Sequence, residues 1–222
     1  MYMERHAILL DAGYLKHAIT SGSKPLTATR IRALIDEICA TSPFHSQSRL
    51  FRTYYYDAEP LSGKSRYPNP ANGRHLDFDN TPLSRNNLAL LQDLRHLPHL
   101  SIRLGTLRDA GWQLGKKAIK PFTRQQEGNP SLTPDDFVPA IQQKGVDMRI
   151  GLDIAALTLK GIVTSLVLVT NDSDFIPAMK FARREGALMY LVQFGSQGSL
   201  QDALIEHADG IITLDPRPLR EI

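Results

Sequence analysis

The chain has 222 residues, of which 42% are hydrophobic and 22% charged, and its formal net charge is only +3. These values are typical of a globular protein, and they exclude an intrinsically disordered chain, a collagen-like repeat and a coiled-coil rod. The single cysteine, Cys39, cannot form a disulfide within the chain. Its apolar helical surroundings predict a buried thiol without a nucleophilic role.

No stretch of the sequence reaches the roughly 20 apolar residues that cross a bilayer. The N-terminal residues lack a small-residue cleavage site after their short apolar run, so they do not have the features of a signal peptide. We therefore expect a cytoplasmic protein without a membrane partner.

In the first part of the chain, short apolar runs closed by turn residues predict strands, and apolar positions at helical spacing predict helices. The predicted elements are a strand at 7–10, a helix at 27–39, a strand at 50–56, a helix at 83–94 and a strand at 100–104. The tyrosines at 54–56 are predicted to lie in a buried strand. The stretch at about 59–82 is rich in Pro and Gly and is predicted to be a long loop.

A second stretch rich in Pro and Gly, at about 105–145, is also predicted to be a long irregular loop. The elements predicted after it are a helix at 146–159, a strand at 166–170, a helix at 177–185, a strand at 187–193, a helix at 199–207 and a strand at 211–214. Strands that alternate with helices predict a single α/β domain over residues 1–222, with a parallel sheet covered on both faces.

Several aspartates lie where this fold would bind a ligand. Asp11 closes the first predicted strand, and Asp172 and Asp174 follow the strand at 166–170. Ligands bind outside the carboxyl ends of the strands in open α/β sheets, so we expect these side chains to converge. Asp147 lies at the start of the helix predicted at 146–159, and Asp153 lies farther along it. Each aspartate taken alone could instead be a helix cap or a turn residue.

Carboxylates gathered in this way favour a bound cation. Two charges about 4 Å apart repel by about 4 kcal/mol at an effective dielectric constant of about 20. All these side chains offer hard oxygen donors, and no His-x-His or Cys-x-x-Cys pattern lies nearby. The donor type therefore favours Mg²⁺ or Mn²⁺ over zinc.

Three motifs in chain order resemble the NYN domain family of PIN-like nucleases, which includes LabA/DUF88-like bacterial proteins. They are ILLDAGYL at 8–15, KGVD at 144–147 together with Asp153, and VTNDSDF at 169–175. The first motif has Ala-Gly-Tyr after its aspartate where the family commonly has Gly-x-Asn. The third has Thr-Asn before its first aspartate where the family commonly has Ser-Gly. The carboxylates themselves are intact.

The resemblance implies a PIN-like three-layer α/β/α sandwich with a central, mainly parallel sheet. It also implies a metal-dependent endoribonuclease that uses Mg²⁺ or Mn²⁺. In this sequence the catalytic and metal-binding cluster would be Asp11, Asp147, Asp172 and Asp174, with Asp153 as a further metal ligand.

The charge distribution indicates where RNA would bind. Residues 103–124 hold six Lys and Arg against one Asp, a local balance of +5, with Trp112 and Phe122 among them. Basic residues interleaved with aromatic rings favour single-stranded nucleic acid. The candidate substrate-binding residues are Arg108, Trp112, Lys116, Lys117, Lys144, Asn171 and Ser173. A Trp112 packed on the domain, turn roles for Asn171 and Ser173, and a solvated Lys144 are the alternative interpretations.

Three functions stay open on this basis. The first is a metal-dependent endoribonuclease that cleaves single-stranded RNA. The others are an RNA-binding or regulatory protein with little or no cleavage activity, and a phosphatase or nucleotide hydrolase. No Gly-x-Gly-x-x-Gly follows the first strand, and this argues against a Rossmann-type oxidoreductase. The sequence leaves open whether the chain forms a homodimer.

Overall fold

The computed structural model describes residues 4–20, 24–68, 74–123, 132–195 and 200–222. Its strands are β1 (Glu4–Asp11), β2 (Ser48–Ala58), β3 (Lys64–Arg66), β4 (His75–Asp77), β5 (Leu100–Leu114), β6 (Phe137–Lys144), β7 (Ser165–Val169), β8 (Leu188–Phe194) and β9 (Gly210–Leu214). Its α-helices are α1 (Ala12–Ala18), α2 (Ala28–Ala40), α3 (Phe44–Gln47), α4 (Pro82–Leu94), α5 (Lys116–Thr123), α6 (Val146–Leu159), α7 (Ile176–Arg184), α8 (Asp202–Ile205) and α9 (Pro216–Glu221).

Seven of the strands form one sheet in the order β6-β5-β2-β1-β7-β8-β9. Every neighbouring pair is parallel except β5 and β6, which are antiparallel. Side chains alternate across the sheet, so that Ile8 and Leu10 join the core under α1, α2, α4 and α9. Ala7 and Leu9 join the core under α6, α7 and α8. These two cores confirm the predicted α/β/α sandwich with a mainly parallel central sheet.

The predicted elements largely coincide with the observed ones, including α6 at its predicted bounds and the buried tyrosine strand at 54–56. Helices α1 and α9 were not predicted. The predicted helix at 199–207 is shorter, since α8 covers four residues, and Ser199 lies outside the described residues. In the described ranges, no helix is long and apolar enough to cross a bilayer.

The prediction of an irregular stretch at 105–145 was wrong. β5 continues to Leu114, and β6 pairs with it up to Lys144, which pairs with Thr106. Gly111, at a φ of +89°, lies within the register shift of this hairpin, and Pro139 lies in an edge strand, where a missing N–H costs little. Residues 124–131 of this stretch lie outside the described residues.

The long loop predicted at 59–82 was also partly wrong. It contains the antiparallel pair β3–β4 and a 3₁₀ turn at Phe78–Asn80, and α4 begins at Pro82. Residues 69–73 lie outside the described residues. Pro and Gly therefore bound short elements here rather than marking a continuous loop.

Cys39 is half-buried in the structure, not fully buried as predicted. Burial, followed by the charge of Asp36, raises the pKa of its thiol to about 11. The thiol therefore stays protonated at neutral pH, and a thiol in that state is a poor nucleophile.

The hairpin of β5 and β6 returns the chain to the carboxyl edge of the sheet, where α6 begins. Gly145 makes this turn with a φ of +78°. Gly105, which pairs with Ala58 at the end of β2, lies directly against the turn. A Cβ at Gly105 would stand 2.5 Å from the Lys144 carbonyl oxygen and 2.7 Å from Val146 Cγ2. Only glycine permits so close an approach of two backbone segments.

We expect Gly105→Ala to lower the free energy of unfolding by about 1–3 kcal/mol, because the new methyl group meets backbone that cannot move aside. Gly151→Ala is the matched control. It lies within α6 with no atom near its Cβ position, so it should raise the free energy of unfolding by about 0.5–1 kcal/mol. Urea denaturation measures both values. A destabilising effect of the same size at the two positions would contradict the close approach at Gly105.

Candidate functional site

The candidate site lies at the carboxyl edge of the sheet, where the strand order changes direction. β1 has β2 on one side and β7 on the other, and Asp11 at its end pairs with Tyr56 of β2. On the other side, Leu10 pairs with Val169, the last residue of β7. This is the place at which open α/β sheets bind their ligands.

Asp11 is fixed in position through both of its carboxylate oxygens. Its Oδ1 accepts hydrogen bonds from the backbone N–H groups of Gly13 (2.9 Å) and Tyr14 (3.4 Å), so Asp11 caps α1. Its Oδ2 accepts a hydrogen bond from the Thr170 hydroxyl at 2.9 Å. The pKa of Asp11 is raised, and burial is the main cause. The three hydrogen bonds act in the opposite direction, whereas the charge of Asp147 raises the pKa further.

Asp172 and Asp174 extend from the segment that follows β7. The Oδ1 atom of Asp172 accepts a hydrogen bond from the Asp174 N–H at 2.9 Å and caps a 3₁₀ turn over Ser173–Phe175. The Thr170 hydroxyl also accepts a bond from the Asp172 N–H at 3.3 Å. Both aspartate side chains are exposed, whereas Phe175 is buried and anchors the turn. Thr170 thus links Asp11 directly to the Asp172 turn.

Asp147 reaches the same edge from the first turn of α6 and is exposed. Partial burial, and then the charges of Asp172 and Asp174, raise the pKa of Asp147. The charge of Asp147 in turn raises the pKa of Asp11, so Asp147 is the carboxylate that interacts with each of the other three. The structure therefore places four of the five predicted metal ligands at the same edge of the sheet.

Asp153, the fifth, does not join them. Six residues of helix separate it from Asp147, a rise of about 9 Å. Its Oδ2 accepts hydrogen bonds from the Tyr56 hydroxyl (2.9 Å) and from Arg103 Nε (3.0 Å). The Arg103 guanidinium also lies over the Tyr54 ring, 5.0 Å from its centroid. Asp153 is thus part of an ion pair between α6 and β5, which does not favour its predicted role as a metal ligand.

A sixth carboxylate, which the sequence analysis did not select, lies beside Asp11. Asp57 near the end of β2 is buried, and both of its oxygens accept bonds from Lys16 Nζ, at 3.0 and 2.7 Å. The Tyr55 hydroxyl and the Ala58 N–H also donate to it. Asp57 ends a strand just as Asp11 does, so the same rule could have found it. Its pairing with Lys16, which lies 41 residues away in the sequence, gives no local signal.

The partners of these carboxylates separate them into two groups. Asp57 and Asp153 are each paired with a cationic side chain. The remaining four, Asp11, Asp147, Asp172 and Asp174, form no salt bridge with any lysine, arginine or histidine that the structure describes.

The donor set of the four aspartates fits a hard divalent cation in its chemistry, since all the oxygens are carboxylate oxygens and the charges repel. As the side chains stand, however, no three His, Cys, Asp or Glu in the described ranges lie close enough to hold a metal ion. Backbone N–H groups occupy one oxygen each of Asp11 and Asp172. A bound cation would therefore have to draw the exposed side chains of Asp147, Asp172 and Asp174 toward Asp11.

The candidate substrate-binding residues lie in two places. Arg108, Lys116, Lys117 and Lys144 are exposed along the hairpin and α5. Of the basic stretch at 103–124, the side chains of 120–123 and all of residue 124 lie outside the described residues. Four exposed cations on this side of the edge are compatible with the predicted contact to a polyanion.

Trp112, Asn171 and Ser173 fit the alternative interpretations better. The Trp112 ring packs on Tyr67, with the centroids 4.2 Å apart, and this covers one face of the indole. Asn171 is bonded to Gln201 through its side-chain oxygen (3.0 Å) and its carbonyl (2.7 Å). Ser173 is half-buried in the turn between the two aspartates. The contacts of Trp112 and Asn171 therefore favour structural roles for both.

The hydroxyl of Thr170 should control the protonation of Asp11. The hydrogen bond from the Thr170 hydroxyl lowers the pKa of the Asp11 carboxyl. Thr170→Val removes this bond, so we expect the pKa of Asp11 to rise further. Thr170 is fully buried, and the lost bonds should also cost about 1–3 kcal/mol of unfolding free energy. A ¹³C NMR titration of the carboxyl carbons measures the pKa, and Thr170→Ser, which keeps the hydroxyl, is the control. An unchanged titration of Asp11 in Thr170→Val would refute this role.

A family model described as the NYN domain matches residues 105–215, half of the chain, and this range includes Asp147, Asp172 and Asp174. No curated protein matches the sequence. The chain is similar to a crystal structure of a protein of unknown function from Vibrio parahaemolyticus, with 15% identity over 96% of this chain and 94% of that one, at a TM-score of 0.46. Because the family model matches half of its length, the chain belongs to the NYN domain family, a family of PIN-like nucleases.

Proposed function

We propose that the chain is a Mg²⁺- or Mn²⁺-dependent ribonuclease that hydrolyses phosphodiester bonds of single-stranded RNA at Asp11, Asp147, Asp172 and Asp174. The observation that carries the proposal is the difference in pairing among the carboxylates of this edge. Asp57 and Asp153 have cationic partners, while these four form no ion pair within the described residues. PIN-like nucleases generally depend on divalent metals.

A divalent cation at this edge would supply an activated water and would neutralise charge that develops during in-line displacement at phosphorus. The residues of the chain position the ligands. Thr170 and the first N–H groups of α1 hold Asp11, so its orientation does not depend on a bound ion. Asp172 is oriented by the Asp174 N–H and keeps its second oxygen for a ligand.

The raised pKa values of Asp11 and Asp147 support the same proposal. Both carboxyls are destabilised in the ionised form, by burial first and by neighbouring aspartates after it. A cation would reverse this repulsion, and protons would compete with it for the same oxygens. Metal binding should therefore weaken as the pH falls through the raised pKa values of these two groups.

We propose that RNA approaches from the hairpin side of the site. Beyond Gly105, β5 continues for nine residues to Leu114, which corresponds to about 30 Å of strand. Arg108 and Lys144 lie on this hairpin, and Lys116 and Lys117 begin α5. Without residues 103–124, the chain holds 20 basic and 22 acidic residues. Positive charge is thus concentrated beside an acidic site, as binding and cleavage of a polyanion require.

The experiment is an RNA cleavage assay with the purified chain in Mn²⁺, in Mg²⁺ and in excess EDTA. We expect internal cuts in single-stranded RNA with either metal and none with EDTA. Tight RNA binding without products would instead indicate a binding or regulatory protein. Turnover of a phosphomonoester or a mononucleotide with intact RNA would indicate a phosphatase or nucleotide hydrolase. Either outcome would refute the proposal.

A further inference from the structure

A cleft of about 830 Å³ lies between α1, α9 and the carboxyl ends of β8 and β9. Tyr14 and His17 of α1, Phe194 at the end of β8, and Arg217 and Arg220 of α9 are among the residues that line it. Its volume is within the roughly 300–1,000 Å³ that is usual for small-molecule sites. None of these residues belongs to the four-aspartate site.

The lining of the cleft combines an aromatic surface with positive charge. The Tyr14 ring packs against the Phe194 ring, with the centroids 5.9 Å apart and the planes tilted by 38°. Phe194 is buried and Tyr14 is half-buried, so Phe194 supports a ring that also faces the cleft. Two arginines line the cleft against one carboxylate, that of Asp215. An aromatic face beside a net positive charge suits a nucleotide, which has a flat base and an anionic phosphate.

Arg217 and Arg220 differ in the hydrogen bonds that their guanidinium groups already make within the protein. Arg217 is exposed and holds Asp215 in a bidentate contact, with an Nη2 to Oδ2 distance of 2.7 Å. Arg220 donates through Nη2 to the Ala18 carbonyl at 2.8 Å, and its Nε is buried without an acceptor among the described residues. The protein thus holds both guanidinium groups at the cleft without saturating their donors.

The cleft and the four-aspartate site lie along one edge of the sheet. The strands follow one another in the order β1, β7, β8 and β9. Neighbouring strands lie about 4.8 Å apart, so the ends of β1 and β8 are about 10 Å apart. Tyr14 is only three residues beyond Asp11 and donates its N–H to that carboxylate. A strand of nucleic acid can therefore contact both places at once.

We propose that this cleft binds one nucleotide of the RNA strand, next to the phosphodiester at the four aspartates, with its base against Tyr14 and its phosphate near Arg217 and Arg220. The proposal rests on the proposed function, because it makes the cleft a subsite of the same substrate. It assigns Tyr14 a base-stacking role and gives α9 a part in substrate binding.

Binding is measured without cleavage, in EDTA, with a short single-stranded RNA and with the four nucleoside 5′-monophosphates as probes. We expect Tyr14→Ala to weaken RNA binding at least about fivefold through lost stacking, and Tyr14→Phe to bind nearly as the wild type does. Arg217→Gln, at an exposed position, should lower the slope of log affinity against log salt by about 0.7. Asp36→Asn, on the exposed face of α2, is the control that should change nothing.

An NMR titration of the wild-type chain keeps the test independent of how the variants fold. Added monophosphate should shift the amide signals of Gly195 and Thr213, which also line the cleft. Unshifted signals, or RNA binding that neither Tyr14→Ala nor Arg217→Gln weakens, would overturn the subsite even if RNA is cleaved. Monophosphate binding that RNA cannot displace would overturn it in favour of a site for free nucleotides. RNA bound at the cleft but never cleaved would refute the proposed nuclease and leave the subsite standing.

Discussion

Asp172→Asn is expected to slow RNA cleavage in Mn²⁺ at least about 100-fold, with little change in the free energy of unfolding. Loss of a group that only orients a metal ligand lowers metal affinity or activity about 10–100-fold. Loss of the charge of a ligand itself should lower activity by at least the upper end of this range. The asparagine oxygen can still accept the hydrogen bond from the Asp174 N–H that holds the turn. The variant therefore removes the charge and keeps the local structure.

Asp36→Asn is the matched control for this variant. Asp36 is an exposed aspartate on α2 whose nearest cationic partner is Arg32, at 3.5 Å. Its replacement should leave the cleavage rate within the error of the assay. If wild type, Asp172→Asn and Asp36→Asn all cleave RNA at the same rate, the activity comes from a contaminant and the assignment of the aspartates fails.

Lys16→Met is expected to lower the free energy of unfolding by about 3–5 kcal/mol at neutral pH, because it leaves a buried charge without its partner. The Asp57 side chain is only 5% exposed, and Lys16 Nζ contacts both of its oxygens. Methionine keeps most of the length of the lysine but cannot donate a hydrogen bond. Because the Tyr55 hydroxyl and the Ala58 N–H remain bonded to Asp57, the loss of unfolding free energy should lie near the lower end of this range.

The comparison variant is Arg32→Met, which breaks the exposed ion pair with Asp36 on α2. Exposed pairs of this spacing contribute about 0.3–0.5 kcal/mol, so this variant should be nearly neutral. Urea denaturation of both variants gives the difference directly. Equal, small effects would mean that the Lys16–Asp57 pair contributes no more than a surface pair does.

The elements that the sequence predicts best are those whose local pattern agrees with their tertiary environment. The bounds of α6 are predicted correctly because its apolar spacing begins directly after Gly145, which has the positive φ that begins this turn. β7 consists of Ser165 and four apolar residues, and it is buried along its whole length. In both cases the neighbouring elements only reinforce what the local sequence already favours.

The β5–β6 hairpin is the clearest case in which local signals mislead. Pro139 and Gly111 predict a break in regular structure, yet Pro139 lies in the edge strand and Gly111 lies in the register shift of the hairpin. Whether a proline breaks a strand depends on which neighbours the strand has. That information comes from the topology of the sheet and is absent from a local window of sequence.

The candidate site also has features that the sequence predicts and features that it does not. Parallel strands bring their carboxyl ends to one edge, so the meeting of Asp11 with the Asp172 turn follows from the order of elements alone. The different role of Asp153 does not, since its partner Arg103 lies 50 residues away in the sequence. The net charge of +3 gives no information on this point either, because it does not indicate which carboxylates are paired with a cationic side chain.

The most direct test of the central claim is a crystal of the chain soaked in Mn²⁺ and measured for anomalous scattering. We expect an anomalous peak among the carboxylates of Asp11, Asp147, Asp172 and Asp174, with the last three side chains drawn toward Asp11. We also expect no peak there in a crystal of Asp172→Asn treated in the same way. A wild-type crystal with no peak at this edge, or with Mn²⁺ bound only elsewhere, would contradict the central claim.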